Sequence, residues 1–114
     1  MTIRLKRVYA PAEAGDGFRI LVDRLWPRGL AKESVHVNLW LKDIAPSSAL
    51  RQWFNHDPKR WRSFRAKYFQ EIDTHSDALA LLLKYVRKGT VTLVYAARDE
   101  RYNHAVALRA YLSS

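Results

Sequence analysis

Short apolar runs alternate with longer amphipathic segments along this chain, a pattern that predicts strands interleaved with helices. One run is apolar at the consecutive positions Ile20, Leu21 and Val22, as expected for a strand with both faces covered. Another run alternates apolar and polar residues, which indicates a strand near a sheet edge with one less buried face. The pattern predicts strands at residues 3–9, 18–24, 35–42 and 90–95.

Four amphipathic segments predict helices. The clearest has Leu79, Leu82, Leu83 and Val86 at helical spacing and is followed by Gly89, a residue that often terminates a helix. Another opens with Asp57, which is expected to cap the helix, followed by Pro58 at its first position. The predicted helices cover residues 47–55, 77–88 and 103–112, together with one that begins at Pro58 and includes Ile72.

The long helical insert between the predicted strands favours a parallel sheet with crossover helices. We therefore predict a single three-layer α/β domain over residues 1–114, with a mostly parallel sheet of about four strands and helices on both faces. In such sheets ligands bind at the carboxyl ends of the strands. Residues 24–29 and 96–104 are expected at that rim, so both segments are candidate site loops.

Composition narrows the class of protein. A chain of 114 residues with 48% hydrophobic content is large enough to bury a core, and no apolar run approaches the roughly 20 residues that span a bilayer. The N-terminus also lacks the apolar stretch of a secretory signal, so we expect a cytoplasmic protein with no membrane partner. The absence of cysteine excludes disulfides, zinc–thiolate sites and thiol nucleophiles.

The first candidate site loop follows the apolar strand that ends near Val22. Arg24 and Arg28 can clamp a phosphate or carboxylate by bidentate hydrogen bonds, and Trp26 can stack on a flat ligand. The alternative is structural, with Trp26 in the core. In that alternative the arginines pair with the nearby acidic residues Asp23, Glu33 or Asp43.

The second candidate loop carries Arg98, Asp99, Asn103 and His104, between a buried strand and a helix whose N-terminal amides suit an anion. With the first loop it forms the predicted ligand-binding set, and His104 is a candidate proton-transfer residue. The alternative assigns Asn103 to capping the helix, Asp99 to a turn and Arg98 to an ion pair.

His56 is the second catalytic candidate, because a histidine before a helix start can donate to an anion or relay a proton. Packing against Trp53 or Trp61 is the alternative. A metal site would need His56, Asp57 and the second loop to converge, and no ligand spacing such as HxxH is present. We therefore predict no metal site, and the sequence leaves open whether the protein uses a cofactor.

The net charge of +9 points to anionic partners, and two function classes remain. One is a small-molecule enzyme or binding domain for an anionic ligand at the rim. The other is a weak, unspecific nucleic-acid-binding module that uses the basic helix at residues 59–67, with Trp26 stacking on a base. Trp53 is expected to pack in the core and not to serve as a stacking platform. Since the sequence places the cations all around this helix and not along one side of it, the small-molecule class is favoured.

Three ordered motifs resemble the YeaO-like branch of a bacterial domain-of-unknown-function family, numbered 488. They are VDRLWPRGL at 22–30, HDPKRW at 56–61 and YAARDERYNHA at 95–105, within a similarity that runs from about Arg7 to Leu112. The resemblance implies a small cytoplasmic α/β domain and no assigned activity. A longer branch of the family carries Cys-His-Arg near the position of Asn103, and its thiol chemistry cannot transfer to a chain without cysteine.

Overall fold

The computed structural model describes residues 1–114 and contains a four-stranded parallel sheet. The strands are β1 (Ile3–Arg7), β2 (Phe18–Leu21), β3 (Leu39–Trp40) and β4 (Val91–Tyr95), in the spatial order β1-β4-β2-β3. The last strand along the chain therefore lies between the first two. The predicted α/β domain with a parallel sheet of about four strands is confirmed.

The helices are α1 (Lys32–Val35), α2 (Ser48–Phe54), α3 (Trp61–Thr74), α4 (Ser76–Lys88) and α5 (His104–Ser113). Side chains satisfy amides at three of the helical starts. The Ser47 hydroxyl accepts from an amide in the first turn of α2, Asp57 accepts in the 3-10 turn before α3, and Asn103 accepts in the first turn of α5, at 3.1, 3.0 and 3.0 Å. The capping roles expected of Asp57 and Asn103 are confirmed. None of the helices is both long and apolar enough to cross a membrane.

The two faces of the sheet are covered unequally. One face, which includes Ile20, Leu93 and Tyr95, packs against α2, α3, α4 and α5 in a core of 19 buried residues. The other face, with Leu21 and Val94, belongs to a cluster of 4 buried residues. It is covered by the one-turn helix α1 and by the loop that follows β2. Helices do lie on both faces, but the four longer ones share one of them.

The strand predicted at residues 35–42 is wrong over most of its length. Val35 ends α1 and is buried in the smaller cluster, and His36 then takes a left-handed conformation with φ 52°. Only the two residues of β3 pair with β2. The alternation has another cause: Val35 and Val37, at the end of α1 and in the loop after it, pack in the smaller cluster, whereas Leu39 and Leu41 pack with the main core.

A buried charge network occupies that second face. Asp16 is 2% exposed and accepts hydrogen bonds from Lys6 Nζ at 2.8 Å, Arg19 Nη1 at 2.5 Å and the Glu13 amide at 3.1 Å. Burial opposes the charge on Asp16, but these hydrogen bonds outweigh it and lower the pKa of Asp16 to about 2. The Asp16 carbonyl also accepts from the Thr92 hydroxyl at 2.6 Å, which joins the network to β4.

Arg19 links this network to α1. Its guanidinium donates to the carbonyls of Val35 and His36, each at 3.1 Å, and fastens the end of α1 to the sheet. Beside it, Gly17 has φ 65°, and a Cβ at this position would lie 2.3 Å from the Thr90 carbonyl oxygen. The chain can therefore turn into β2 here only with glycine.

Candidate functional site

The loops that follow β2 and β4 leave the same rim of the sheet, because these strands are adjacent and parallel. The backbone amide of Ala96, just beyond β4, donates to Asp23 Oδ2 at 3.0 Å, just beyond β2. The prediction that residues 24–29 and 96–104 share a rim is confirmed. We call this edge the carboxyl rim.

Asp23 also meets His104, the first residue of α5. Asp23 Oδ1 and His104 Nε2 lie 2.8 Å apart, and the two side chains are 14% and 16% exposed. The atoms are shielded from solvent, yet neither has a well-aligned hydrogen-bond partner in the protein. A carboxylate oxygen at this distance favours a proton on Nε2. The two atoms are therefore close enough for an ion pair, but they are not aligned as in a good hydrogen bond.

The loop before α5 is held by its own polar side chains. Asp99 Oδ1 accepts from the amides of Tyr102 and Arg101 at 3.0 and 2.8 Å, and these bonds lower the pKa of Asp99. Asn103 is 3% exposed, and its amide group donates to the Asp99 carbonyl at 2.8 Å. Both side chains therefore shape the loop in the way that the structural alternative describes.

Two residues of the first loop are engaged in a similar way. Arg24 donates to the carbonyls of Pro46 and Ala45 at 3.2 and 3.1 Å, and so connects the loop to the segment before α2. Trp26 donates from Nε1 to the Leu30 carbonyl at 2.7 Å and packs edge-on against Trp40, with ring centroids 5.5 Å apart. The indole of Trp26 packs on the second face of the sheet, and none of the three carboxylate pairs considered for Arg24 is present.

Arg28 and Arg98 differ from these residues. Both side chains are exposed, and neither guanidinium forms a hydrogen bond or ion pair with the protein. Only the backbone carbonyl of Arg28 is used, as the acceptor for the Tyr9 hydroxyl at 3.2 Å. The carboxyl rim thus presents two unpaired guanidinium groups, one on each loop.

His56 lies in the connection between α2 and α3. Its φ of 53° follows a φ of 47° at Asn55, so two consecutive residues other than glycine are left-handed. The charge of His56 contributes to the lowered pKa of Asp99, after the backbone hydrogen bonds, which brings His56 to the same end of the molecule. Its ring is exposed, and its aromatic neighbour is Phe54 at 6.5 Å, not Trp53 or Trp61.

The structure brings no three histidine or acidic side chains together as a metal-binding cluster. A cavity of about 550 Å³, open to solvent, lies at the β1 edge of the carboxyl rim, where Arg7, Tyr9, Tyr95 and Glu100 line it. Burial raises the pKa of Tyr95, and Glu100 adds to the rise. Arg7 is fixed by the carbonyls of residues 97 and 96 at 3.0 and 3.3 Å.

Sequence reasoning missed two features of this rim. It treated Asp23 only as a partner for the loop arginines and did not pair it with His104. It also passed over Arg7, which ends β1, and Tyr9, which follows β1 as Arg24 and Arg28 follow β2. These residues share one feature that the sequence shows: each is a polar residue at or just after the end of a parallel strand, where ligands bind in such sheets.

A family described as "Inactive DUF488-N3 subclade" matches residues 2–114. The chain belongs to this family. It is 42% identical over 114 residues to the uncharacterized protein YeaO of Escherichia coli K12, covering 100% of this chain and 99% of the relative. It is 41% identical over 111 residues to an uncharacterized protein of Mycobacterium tuberculosis H37Rv, covering 97% and 93%. No solved structure matches, and the resemblance to the YeaO-like branch is confirmed.

Proposed function

We propose that this protein is a binding domain that holds a small ligand with a phosphate or carboxylate group at the carboxyl rim. The observation that carries the proposal is that Arg28 and Arg98, on the two loops of this rim, have no protein partner. Planar guanidinium groups match the oxygen pairs of carboxylates and phosphates in bidentate hydrogen bonds. An anionic ligand supplies the missing partner.

The Asp23–His104 pair supports the same location. A lone carboxylate would repel an anion, but His104 Nε2 at 2.8 Å and the Ala96 amide at 3.0 Å both face the Asp23 carboxylate. The first amides of α5 add a favourable dipole, which is worth about 0.3–1 kcal/mol at an exposed site. In this arrangement Arg28, Arg98 and His104 contact the ligand, and Asp23 orients the imidazole.

The remaining residues of the predicted set act on the loops. Arg24, Trp26, Asp99 and Asn103 already bond to backbone groups of the protein, so they hold the loops in place and leave ligand contact to others. His56 lies close enough to influence Asp99 and stands at the margin of the site. The family description "inactive" supports binding without turnover, and His104 is then a ligand contact and not a proton-transfer catalyst.

The test is an NMR titration with inorganic phosphate and, separately, with acetate. We expect saturable shifts of the His104 ring and of the Ala96 amide. The double variant Arg28→Gln/Arg98→Gln should weaken binding about tenfold or more, because each hydrogen bond to a charged group contributes about 1.5–3 kcal/mol. The matched control is Lys84→Gln/Arg87→Gln, which removes the same charge from α4.

The control residues lie toward the end of α4 that leads into the start of β4, at the opposite rim. Their loss should leave the affinity within about twofold, since exposed charges beyond a Debye length are screened. Shifts that fail to saturate, or an equal loss of affinity in both double variants, would contradict the proposal. Turnover of a phosphate or carboxylate ester that depends on His104 would replace binding by catalysis.

A further inference from the structure

A second charged region, separate from the carboxyl rim loops, lies on α2 and α3. We call it the α2–α3 basic surface and define it by Arg51, Trp53, Lys59, Arg60, Arg62 and Lys67. Residues 51–67 hold six of the 20 lysines and arginines in the chain but only one of its 11 acidic residues. All six members of the surface are exposed. The charge of the protein is therefore concentrated here.

Trp53 lies at the centre of this surface, and its expected place in the core is wrong. The side chain is 38% exposed, and the cationic groups of Arg60 and Lys67 each lie 5.3 Å from its ring centroid. Arg60 also donates to the Trp53 carbonyl. Phe54, the next residue, takes the core position in α2. The exposed indole can stack a flat ring on its face, where the ring would take the place of one of these cations.

Two basic residues of α3, Arg62 and Lys67, lie on its exposed side, whereas Arg65 is half-buried and its Nε is shielded from solvent. Phe64, Tyr68 and Ile72 fill the buried side and belong to the main core. Arg62 and Lys67 are exposed on the remaining arc, where Ser63, Ala66 and Gln70 lie between and beside them. Arg62 and Lys67 therefore belong to one accessible surface, although the sequence predicts cations all around the helix.

Few acidic groups neutralise this surface. Asp57 uses Oδ1 to cap Lys59 N–H, and its Oδ2 is 3.9 Å from Arg60, at the limit of an ion pair. Lys59, Arg62 and Lys67 make no ion pair. An open groove of about 460 Å³ runs beside Trp53 and Lys67, and its one carboxylate, Glu71, is occupied by the amide and hydroxyl of Ser47 at 2.8 and 2.6 Å.

We propose that the α2–α3 basic surface binds single-stranded nucleic acid, with a base stacked at Trp53 and successive phosphates held by the surrounding cations. Lys59, Arg62 and Lys67 are exposed cations that make no ion pair, and several such groups around one indole suit a chain of phosphates better than one small anion. Binding to a strand without sequence preference combines such a basic track with aromatic stacking.

A membrane surface fits less well. Interfacial binding requires a broad apolar face that inserts between lipids. On this surface Trp53 is the single large exposed hydrophobic side chain, since the others in the molecule are Met1, Tyr9 and Leu25. The neighbours of the α3 cations are small or polar. Stacking and phosphate contacts, which need only one ring and several cations, match what the surface presents.

The experiment measures fluorescence anisotropy of a labelled single-stranded oligonucleotide of about 12 nucleotides, a length within the site sizes of such proteins. We expect a Kd of about 1–100 µM and no sequence preference. The triple variant Lys59→Gln/Arg62→Gln/Lys67→Gln should reduce the slope of log K against log salt by about 2, since each lost phosphate contact accounts for about 0.7 with single strands. The matched control Lys84→Gln/Arg87→Gln/Lys88→Gln removes the same charge from α4.

Trp53 is tested by two further variants. Trp53→Leu should weaken binding about fivefold or more, and Trp53→Phe should retain most of the affinity, because any aromatic face stacks on a base. Circular dichroism confirms that each variant is folded. The rim variant Arg28→Gln/Arg98→Gln should bind the oligonucleotide as the parent does, so a failure at one site is distinguishable from a failure at the other.

Three results would overturn the proposal. The first is equal loss of affinity in the two triple variants, which would reduce the binding to net charge. The second is unchanged affinity in Trp53→Leu, which would remove the stacking contact. The third is binding to vesicles of phosphatidylserine and phosphatidylcholine with no binding to the oligonucleotide at the same salt concentration, which would assign the surface to a membrane.

Discussion

Two acid–base clusters in this protein look alike in composition and differ in how completely they are bonded. In the network on the second face of the sheet, the Asp16 carboxylate is bonded to Lys6, Arg19 and the Glu13 amide, and it is 2% exposed. At the carboxyl rim, the facing atoms of Asp23 and His104 are shielded and lack an aligned partner. The carboxylate of the first cluster is fully hydrogen-bonded within the protein, and the facing atoms of the second cluster are not.

The difference separates a charge that is fully bonded within the protein from one that is not. A buried polar network stabilises a unique arrangement only when every member is satisfied. A buried polar group without a partner is costly, and in a native protein it calls for an explanation such as strain, a catalytic role or a bound water or ion. The contrast therefore predicts large losses of stability from changes in the Asp16 network and small ones from changes at the rim.

The largest effect is expected for Arg19→Leu. The substitution leaves the carbonyls of Val35 and His36 without their donor and removes one of the cations that face Asp16. Breaking one side of a buried ion pair costs about 3–5 kcal/mol in the free energy of unfolding. Urea denaturation monitored by circular dichroism measures it. A loss below about 1 kcal/mol would show that the network is dispensable and would remove the comparison.

An acid-dependent effect of intermediate size is expected from Asp16. Its pKa is about 2 in the folded protein, against an ordinary value of 3.8, so ionised Asp16 contributes stability above pH 3.8, and this contribution is lost as the pH falls through about 2. Asp16→Asn should therefore be less stable than the parent near neutral pH. The difference should shrink between about pH 4 and pH 2, because the parent carboxyl becomes neutral there. Unfolding curves of both proteins across this range measure the change; a constant difference would contradict the assignment.

The smallest effect is expected for His104→Gln. The imidazole is 16% exposed and makes no aligned hydrogen bond with Asp23, so its removal should change the free energy of unfolding by about 1 kcal/mol or less. The same denaturation assay applies. A loss as large as that of Arg19→Leu would place the rim pair in the structural class and would weaken the proposed binding role.

Much of the fold could be predicted from the sequence, because its signals are local. Gly89 ends α4, Asn103 caps α5 and the β-branched run at 91–95 forms β4, all as the residue types indicate. The error at residues 35–42 has a non-local cause. There the apolar side chains Val35 and Val37 reach a sheet face that no long helix covers, a circumstance that periodicity does not reveal.

The sequence could locate the candidate site, but it could not show which of the site residues bond to the protein itself and which do not. Arg24 and Arg28 are four positions apart in one loop, yet Arg24 is tied to the carbonyls of Ala45 and Pro46 and Arg28 is free. Those carbonyls come from a segment about 20 residues later in the chain, so no local pattern distinguishes the two arginines. The Asp23–His104 contact is of the same kind, since it joins the ends of two strands that become neighbours only in the folded sheet.

The position of β4 between β1 and β2 has a consequence for the order of folding during synthesis. β1 pairs only with β4, so it has no strand partner until residues 91–95 have left the ribosome, and before that the sheet is limited to the two-residue pairing of β2 with β3. Contacts that close such long loops form slowly. We therefore expect the emerging chain to expose its apolar strand faces until residues 91–95 are available, and the sheet to form only then.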